Sequence, residues 1–194
     1  MRLEREHRAH PLEGPDEALW EEVIRQHQEP VFRLLYLMLG DAEEAADTAQ
    51  ETFLRAFRAW DRRDPNRPLR PWLLRIAAHL ARNRRRALGR YWRALQRWAR
   101  LQSPPSGMRD EILETVARQE EAERLWRAIR RLGLIDQETI YLRYFLELSE
   151  AEIAQVQNVA IGTVKSRLHR ALHRLRAVVE REFPDLIGRP HGEG

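Results

Sequence analysis

Residues 149–170 read SEAEIAQVQNVAIGTVKSRLHR, and this stretch decides the fold. Ser149-Glu150-Ala151-Glu152 is a capping box, a hydroxyl and a carboxylate spaced to satisfy orphan backbone N–H groups at a helix start. The short helix it opens carries Ile153, Ala154 and Val156 and runs to Gln157. Asn158 follows, one of the few non-glycine residues that readily adopts the left-handed backbone that ends a helix. A turn from Gln157 to Ala160 separates it from a second helix, predicted from about Gly162 to Phe183 and stopped by Pro184. Small Ala154 permits a close crossing, and Ile153, Val164 and Leu168 pack the junction, which makes a helix-turn-helix. In such a unit the second helix enters the DNA major groove and its first turns meet base edges. Thr163, Lys165, Ser166, Arg167, His169 and Arg170 are the polar positions there, while Val164, Leu168, Leu172 and Leu175 form the expected buried stripe. An ordinary three-helix core domain is the competing reading of the same spacing.

Working outward, the rest of the chain is punctuated for helices, with no convincing strand, so the fold class is all-α. Pro15-Asp16 opens a helix with Leu19, Trp20, Val23, Ile24 and His27 on one face. Pro30 is expected to interrupt it, with a second apolar stretch from Val31 to Leu39 and Gly40 as the stop. Asp41 caps the next helix, which shows Ala46, Ala49, Phe53, Ala56 and Trp60 at steps of three and four. The segment Asp61–Pro71, with Pro65, Pro68 and Pro71, reads as a stiff loop. Trp72–Leu88 is helical again, with Leu73, Ile76, Ala77, Leu80 and Ala81 inward. Tyr91–Leu101 has helical spacing, and Ser103-Pro104-Pro105-Ser106-Gly107 is the best domain boundary. Beyond it Ile112–Leu132 is predicted helical through Leu113, Val116, Leu125, Trp126 and Ile129. Gly133 ends that helix and Asp136 is expected to cap Thr139–Leu146. The expected organisation is a tail at 1–16, a small helical domain at 17–88, a flexible linker at 89–109, a second helical domain at 110–183 that contains the helix-turn-helix, and a C-terminal tail at 184–194, of which Gly188–Gly194 reads as disordered.

Composition sets the bounds. The chain has 194 residues, 43% hydrophobic and 33% charged, too apolar for a disordered polymer and enough for two small cores. It has no Cys, which excludes disulfides, thiolate catalysis and Cys-based metal sites. The longest uncharged apolar run, Leu34–Gly40, is far short of a membrane span, and Met1–Glu13 has no apolar signal region, so the expected location is cytoplasmic. The net charge of +4 conceals an uneven distribution. Residues 62–100 hold thirteen Arg against Asp64 alone, and residues 161–176 hold Lys165, Arg167, Arg170, Arg174 and Arg176 with no acid. Two separate basic blocks point to two polyanion contacts, although a solvated helix face gives the same pattern. His169 and His173 stand four apart, but no acid or Cys lies beside them to complete a metal site. No metal or other cofactor is expected.

In the N-terminal half, Asp47, Gln50, Glu51, Leu54 and Arg55 form a second face of their helix, read as pointing away from Phe53 and Phe57. A solvated face would look similar. The run Arg82-Asn83-Arg84-Arg85-Arg86, near Trp72 and the Pro-rich loop, suits unstacked bases and their backbone. Trp60 and Trp72 have the core as their alternative place.

These segments resemble a known family. GDAEEAADTAQETFLRAF, Gly40–Phe57, is similar to the region-two signature of bacterial sigma factors, RPLRPWLLRIA, Arg67–Ala77, to its continuation, and GTVKSRLHRAL, Gly162–Leu172, to region four. In that order and spacing they resemble the extracytoplasmic-function group of the sigma-70 family, over roughly residues 17–88 and 110–180. The resemblance implies a non-enzymatic subunit that binds core RNA polymerase and directs promoter recognition, DNA melting and initiation. It implies that Asp47, Gln50, Glu51, Leu54 and Arg55 bind the clamp helices of the largest polymerase subunit, with the flap as a further polymerase contact. It implies that the loop Asp61–Pro71, with Arg62, Arg63 and Asn66, captures a flipped base of the minus-ten element, and that Trp72, Arg75, His79, Asn83 and Arg84 meet the melted strand. Thr163, Lys165, Ser166, Arg167 and Arg170 would read the duplex minus-thirty-five element, the linker would thread toward the RNA exit path, and an anti-sigma factor is a possible partner. The chain departs from the family at Thr48-Ala49, where Leu-Val is frequent, at His79, where Asn is frequent, and at Ala160, a poor N-cap. A helix-turn-helix regulator that binds DNA independently of polymerase is the alternative; it leaves the arginine block and the Gln50-Glu51 face without a role.

Overall fold

A computed structural model describes residues 14–98 and 116–186, and side chains within 14–87 and 122–186. Every regular element in them is helical: α1 Glu17–Leu39, α2 Ala42–Arg58, α3 Leu69–Trp98, α4 Val116–Arg130, α5 Leu134–Ile140, α6 Glu150–Gln157 and α7 Ile161–Glu182, with short 3-10 turns at Trp60–Arg62 and Pro184–Leu186. The proposed boundary at Ser103–Gly107, the 188–194 tail and the Tyr91–Leu101 side chains lie outside the described residues. Packing divides the chain into two compact units, Met1–Leu80 and Ala81–Gly194, so the second half of α3 belongs with the second unit.

In the first unit α1 and α2 pack as an antiparallel pair joined at Gly40. Asp16 Oδ1 accepts the Leu19 N–H at 2.7 Å and Asp41 Oδ1 accepts the Glu44 N–H at 2.8 Å, so each helix start has its side-chain cap. Gly40 closes α1 at φ 79°, a conformation that suits a residue without Cβ. The expected interruption at Pro30 does not occur: α1 runs through it. Proline costs the turn one hydrogen bond, but Val31, Leu34, Leu35 and Met38 beyond it are buried at 3% exposure or less, and at about 1.5–3 kcal/mol per buried side chain this outweighs the loss.

The inward face of α2 also differs from expectation. Ala46 is exposed and Ala49 half-buried, while Ala45, Thr48, Thr52, Phe53 and Ala56 are buried. Two threonines can face the core because Thr48 Oγ1 donates to the Glu44 carbonyl at 2.6 Å and Thr52 Oγ1 to the Thr48 carbonyl at 2.7 Å, which satisfies each hydroxyl within the helix. The departure at Thr48 is therefore accommodated in the core. Helix α3 starts at Leu69, with Pro71 inside its first turn, where backbone N–H groups have no intrahelical acceptor. It buries Leu73, Leu74, Ala77, Ala78, Leu80 and Ala81.

His27 is half-buried, and burial first, then the Arg70 charge, hold its imidazole below the ordinary range. The unfolded chain thus takes up a proton at a higher pH than the folded one. The His27 contribution to stability is complete above the unfolded pKa of about 6.5 and falls as the pH drops toward the folded value. Wild-type protein should lose more thermal stability than His27→Gln between pH 7.5 and pH 5.5; parallel losses in the two melting series would refute this.

In the second unit α4 turns Ala128 and Ile129 inward, while Leu125, expected on that face, is 41% exposed. Asp136 does not cap a helix at Thr139. Helix α5 begins at Leu134 after Gly133, and Asp136, in its first turn, accepts the Arg174 guanidinium of α7 at 2.5 Å. A π-helical turn over Tyr141–Phe145 follows, where Trp126, Tyr141 and Phe145 form an aromatic cluster with centroids 5.4–5.8 Å apart.

Candidate nucleic-acid interface

The capping box of α6 is complete. Ser149 Oγ accepts the Glu152 N–H at 3.3 Å and Glu152 Oε2 accepts the Ser149 N–H at 2.8 Å. Asn158 ends α6 in the left-handed conformation at φ 54° and ψ 53°. Ile153, Ala154 and Val156 of α6 and Val164, Leu168 and Ala171 of α7 are buried, so the helix-turn-helix has its own core. Leu172 is 40% exposed and Leu175 half-buried; the stripe continues instead through Ala171 and Val179, because a helix turns about 100° per residue and the expected positions drift off the face.

Lys165, Ser166 and Arg170 are exposed on α7, with Thr163 and Arg167 half-buried. Arg167 Nη1 donates to Gln157 Oε1 at 2.8 Å, and Gln157 Nε2 donates to Thr139 Oγ1 at 2.9 Å. Gln157, read from sequence only as a turn residue, therefore orients the guanidinium of the helix that follows it. Only the tertiary placement of Thr139 shows this role. Lys165 stands 3.7 Å from Glu150, and Ser166 Oγ donates to the Gly162 carbonyl. Ala160 gives α7 no side-chain cap. Ala160→Ser should add about 0.5–1 kcal/mol, read as a raised melting temperature of the full chain; no rise, or a fall, would show that the site cannot accept the hydroxyl in capping geometry.

In the first unit, the α2 positions do not point away from Phe53 and Phe57 as expected. Gln50 and Leu54 line an open apolar groove of about 920 Å³ together with Ile24 and Phe32 of α1 and Phe53 and Phe57. Leu54 is 58% exposed, Phe32 39% and Phe57 37%. The 3.6-residue period sets positions 50, 54 and 57 adjacent, and tertiary packing decides that α1 leaves their edge open. Asp47 is exposed, and Glu51 pairs with Arg55 at 2.6 Å. Sequence reading missed Phe32; a large aromatic at an exposed position was its only signal.

Arg62 and Asn66 are exposed in the loop before α3, where Asp64 Oδ1 accepts the Asn66 N–H at 3.0 Å. Arg63 lies over the Trp60 ring at 4.2 Å, and its buried Nε has no hydrogen-bond partner among the described residues. Trp60 and Trp72 are half-buried and meet edge to face at 6.3 Å, so both of their readings hold in part: each ring packs and each keeps an exposed portion. Arg75, His79 and Asn83 are exposed at steps of four along α3, and Arg84 is half-buried. Among the described residues no group of three His, Cys, Asp or Glu side chains could hold a metal ion, and no helix is long and apolar enough to cross a membrane.

Comparison with known proteins places both halves of the chain in one family. The profile of Sigma-70 region 2 matches residues 23–91 and that of Sigma-70 region 4 matches residues 122–175. Over 172 residues the chain is 31% identical to the ECF RNA polymerase sigma factor SigW of Bacillus subtilis, covering 83% of this chain and 89% of that protein. The chain belongs to the sigma-70 family. Its group is that of the extracytoplasmic-function (ECF) sigma factors. It is also 30% identical over 167 residues to the ECF RNA polymerase sigma factor SigL of Mycobacterium tuberculosis, covering 84% of this chain and 90% of that one. The sigma factor RpoE of Bartonella quintana, solved with the anti-sigma factor NepR, shares the fold at a TM-score of 0.61 and 20% identity, over 84% of this chain and 98% of that chain. As an ECF sigma factor the protein binds core RNA polymerase and promoter DNA and directs transcription initiation. The reading as a polymerase-independent regulator is not favoured. Sigma factors as a family are non-enzymatic transcription proteins.

Proposed function

We propose that the two surfaces divide the work of the sigma factor as follows. The groove rim of α2, with Asp47, Gln50, Glu51, Leu54 and Arg55, takes the clamp helices of the largest polymerase subunit. Arg62, Arg63 and Asn66 capture a base of the minus-ten element, with the Arg63 guanidinium held in place by stacking on Trp60. Trp72, Arg75, His79, Asn83 and Arg84 follow the melted strand, and Thr163, Lys165, Ser166, Arg167 and Arg170 read the minus-thirty-five duplex. Residues 89–109, whose first part continues α3 to Trp98, join the DNA-binding segments 17–88 and 110–183. The protein acts in the cytoplasm without catalysis of its own, and an anti-sigma factor is a candidate regulator, in keeping with the relative solved beside one.

The observation that carries this assignment is the open apolar groove beside Gln50 and Leu54, for which a protein that binds only DNA has no use. Run-off transcription with purified core polymerase on genomic promoter templates tests it. Specific transcripts that depend on the added protein are expected; their absence with active core enzyme would sink the assignment.

A further inference from the structure

The second compact unit begins at Ala81, inside α3, and takes in Arg82 and Arg85. Arg82 Nη1 donates to both carboxylate oxygens of Glu138, at 2.7 and 2.6 Å. The Glu138 side chain has no exposed surface, and that of Arg82 keeps only 17%. On the preceding residue of α5, Gln137 Oε1 accepts Arg85 Nη1 at 2.7 Å. Gln137 is itself fixed, because its Nε2 donates to the carbonyls of Arg130 at 3.1 Å and Leu132 at 2.6 Å. Beside it the Tyr141 hydroxyl is buried with no hydrogen-bond partner among the described residues.

A carboxylate without exposed surface is costly unless a cation stands on it, so α5 carries a built-in demand for an arginine. The arginine that meets it comes from Arg82-Asn83-Arg84-Arg85-Arg86, the densest cationic run in the chain. A guanidinium fork is geometrically suited to a carboxylate and to a phosphate alike, and the Arg82 Nη1 donor engaged by Glu138 is not available to a phosphodiester.

We propose that Glu138 and Gln137 of α5 form an internal docking site for Arg82 and Arg85 of the arginine run, which withholds these two side chains from nucleic acid until phosphate displaces them. This rests on the reading of that run as a contact to DNA backbone. The free protein then binds single strands more weakly than its charge allows, and engagement of the melted strand releases α5.

The test uses the full chain without polymerase and a fluorescein-labelled oligothymidylate, followed by anisotropy at low salt. Glu138→Gln keeps the side-chain shape and removes the charge, and should tighten binding about five-fold or more. Glu123→Gln, at a 70% exposed side chain of α4, controls for the change in net charge and should shift binding much less. Equal shifts in the two variants, weaker binding by a normally folded Glu138→Gln protein, or no binding by any form would overturn the proposal. If Glu138→Gln does not fold, hydrogen exchange of the wild type decides: saturating oligothymidylate should speed exchange across residues 134–146, and unchanged or slower exchange there would overturn it. Failure here with normal run-off transcription removes only the docking site, whereas loss of protein-dependent transcripts removes the functional reading beneath it.

Discussion

Leu54→Asp is expected to lower affinity for core RNA polymerase by about 30- to 1,000-fold, with circular dichroism and melting temperature unchanged. The asymmetry follows from where Leu54 sits. At 58% exposure on α2 it contributes little to its own core, so the fold has little to lose. Its side chain stands on the rim of a groove whose other walls, Phe32 and Phe57, are also more than a third exposed. An apolar anchor in such a place contributes about 2–4 kcal/mol to a protein–protein interface, and a carboxylate in its stead adds a desolvation cost on binding. Asp47→Ala with Gln50→Ala should also weaken binding with the fold intact, by less, because exposed polar contacts at a rim contribute little. Fluorescence titration of labelled core enzyme measures both. A Leu54→Asp protein that binds within two-fold of wild type would remove this face from the polymerase interface.

Arg167→Ala is expected to reduce initiation selectively at cognate promoters and to compress the difference between intact and mutated upstream elements by about 1–3 kcal/mol, roughly 5- to 150-fold. Arg167 lies in the second turn of α7, in the part of a recognition helix that reaches base edges. Its guanidinium is held by Gln157, which Thr139 holds in turn, so the fork is oriented before DNA arrives and less side-chain entropy is lost on contact. Gln157→Ala should therefore reproduce part of the loss without touching DNA. Arg84→Ala differs in kind: a phosphate contact acts on every sequence and carries a salt slope of about 0.7–0.9. It should weaken open-complex formation at all promoters and flatten its salt dependence while upstream preference stays. Transcription across a salt series on wild-type and upstream-mutated templates separates the two. Equal losses for Arg167→Ala on every template would make α7 a phosphate clamp rather than a reader of bases.

Most of the local signals sufficed where the physics is local, the cap expected at Asp136 being the exception. Ser149 and Glu152 form their capping box, Asn158 ends α6 left-handed, Gly40 ends α1, and Asp16 and Asp41 cap their helices, because each of these depends on a few consecutive residues and the backbone they must satisfy. Helical periodicity likewise placed Val164, Leu168, Leu73, Ala77 and Ala81 in the core. Where several residues competed for one face the reading drifted. The spacing puts Ala46 inward, yet it lies outside, since helix packing buries Ala45 together with Thr48 and Thr52, and the two threonine hydroxyls find acceptors in their own helix. Pro30 reads as an interruption because its missing hydrogen bond is visible in sequence while the burial that offsets it is not.

The helical class, the helix-turn-helix, the two basic blocks and the family resemblance are all legible in the chain, since periodicity, capping and charge are written in neighbouring residues. Tertiary structure alone decided which side of α2 is open, that Gln157 orients Arg167, and that Glu138 and Gln137 hold Arg82 and Arg85. Those pairs are separated by as many as 56 positions. No local preference encodes such a pairing; it exists only once the chain has folded and a buried carboxylate must find its cation.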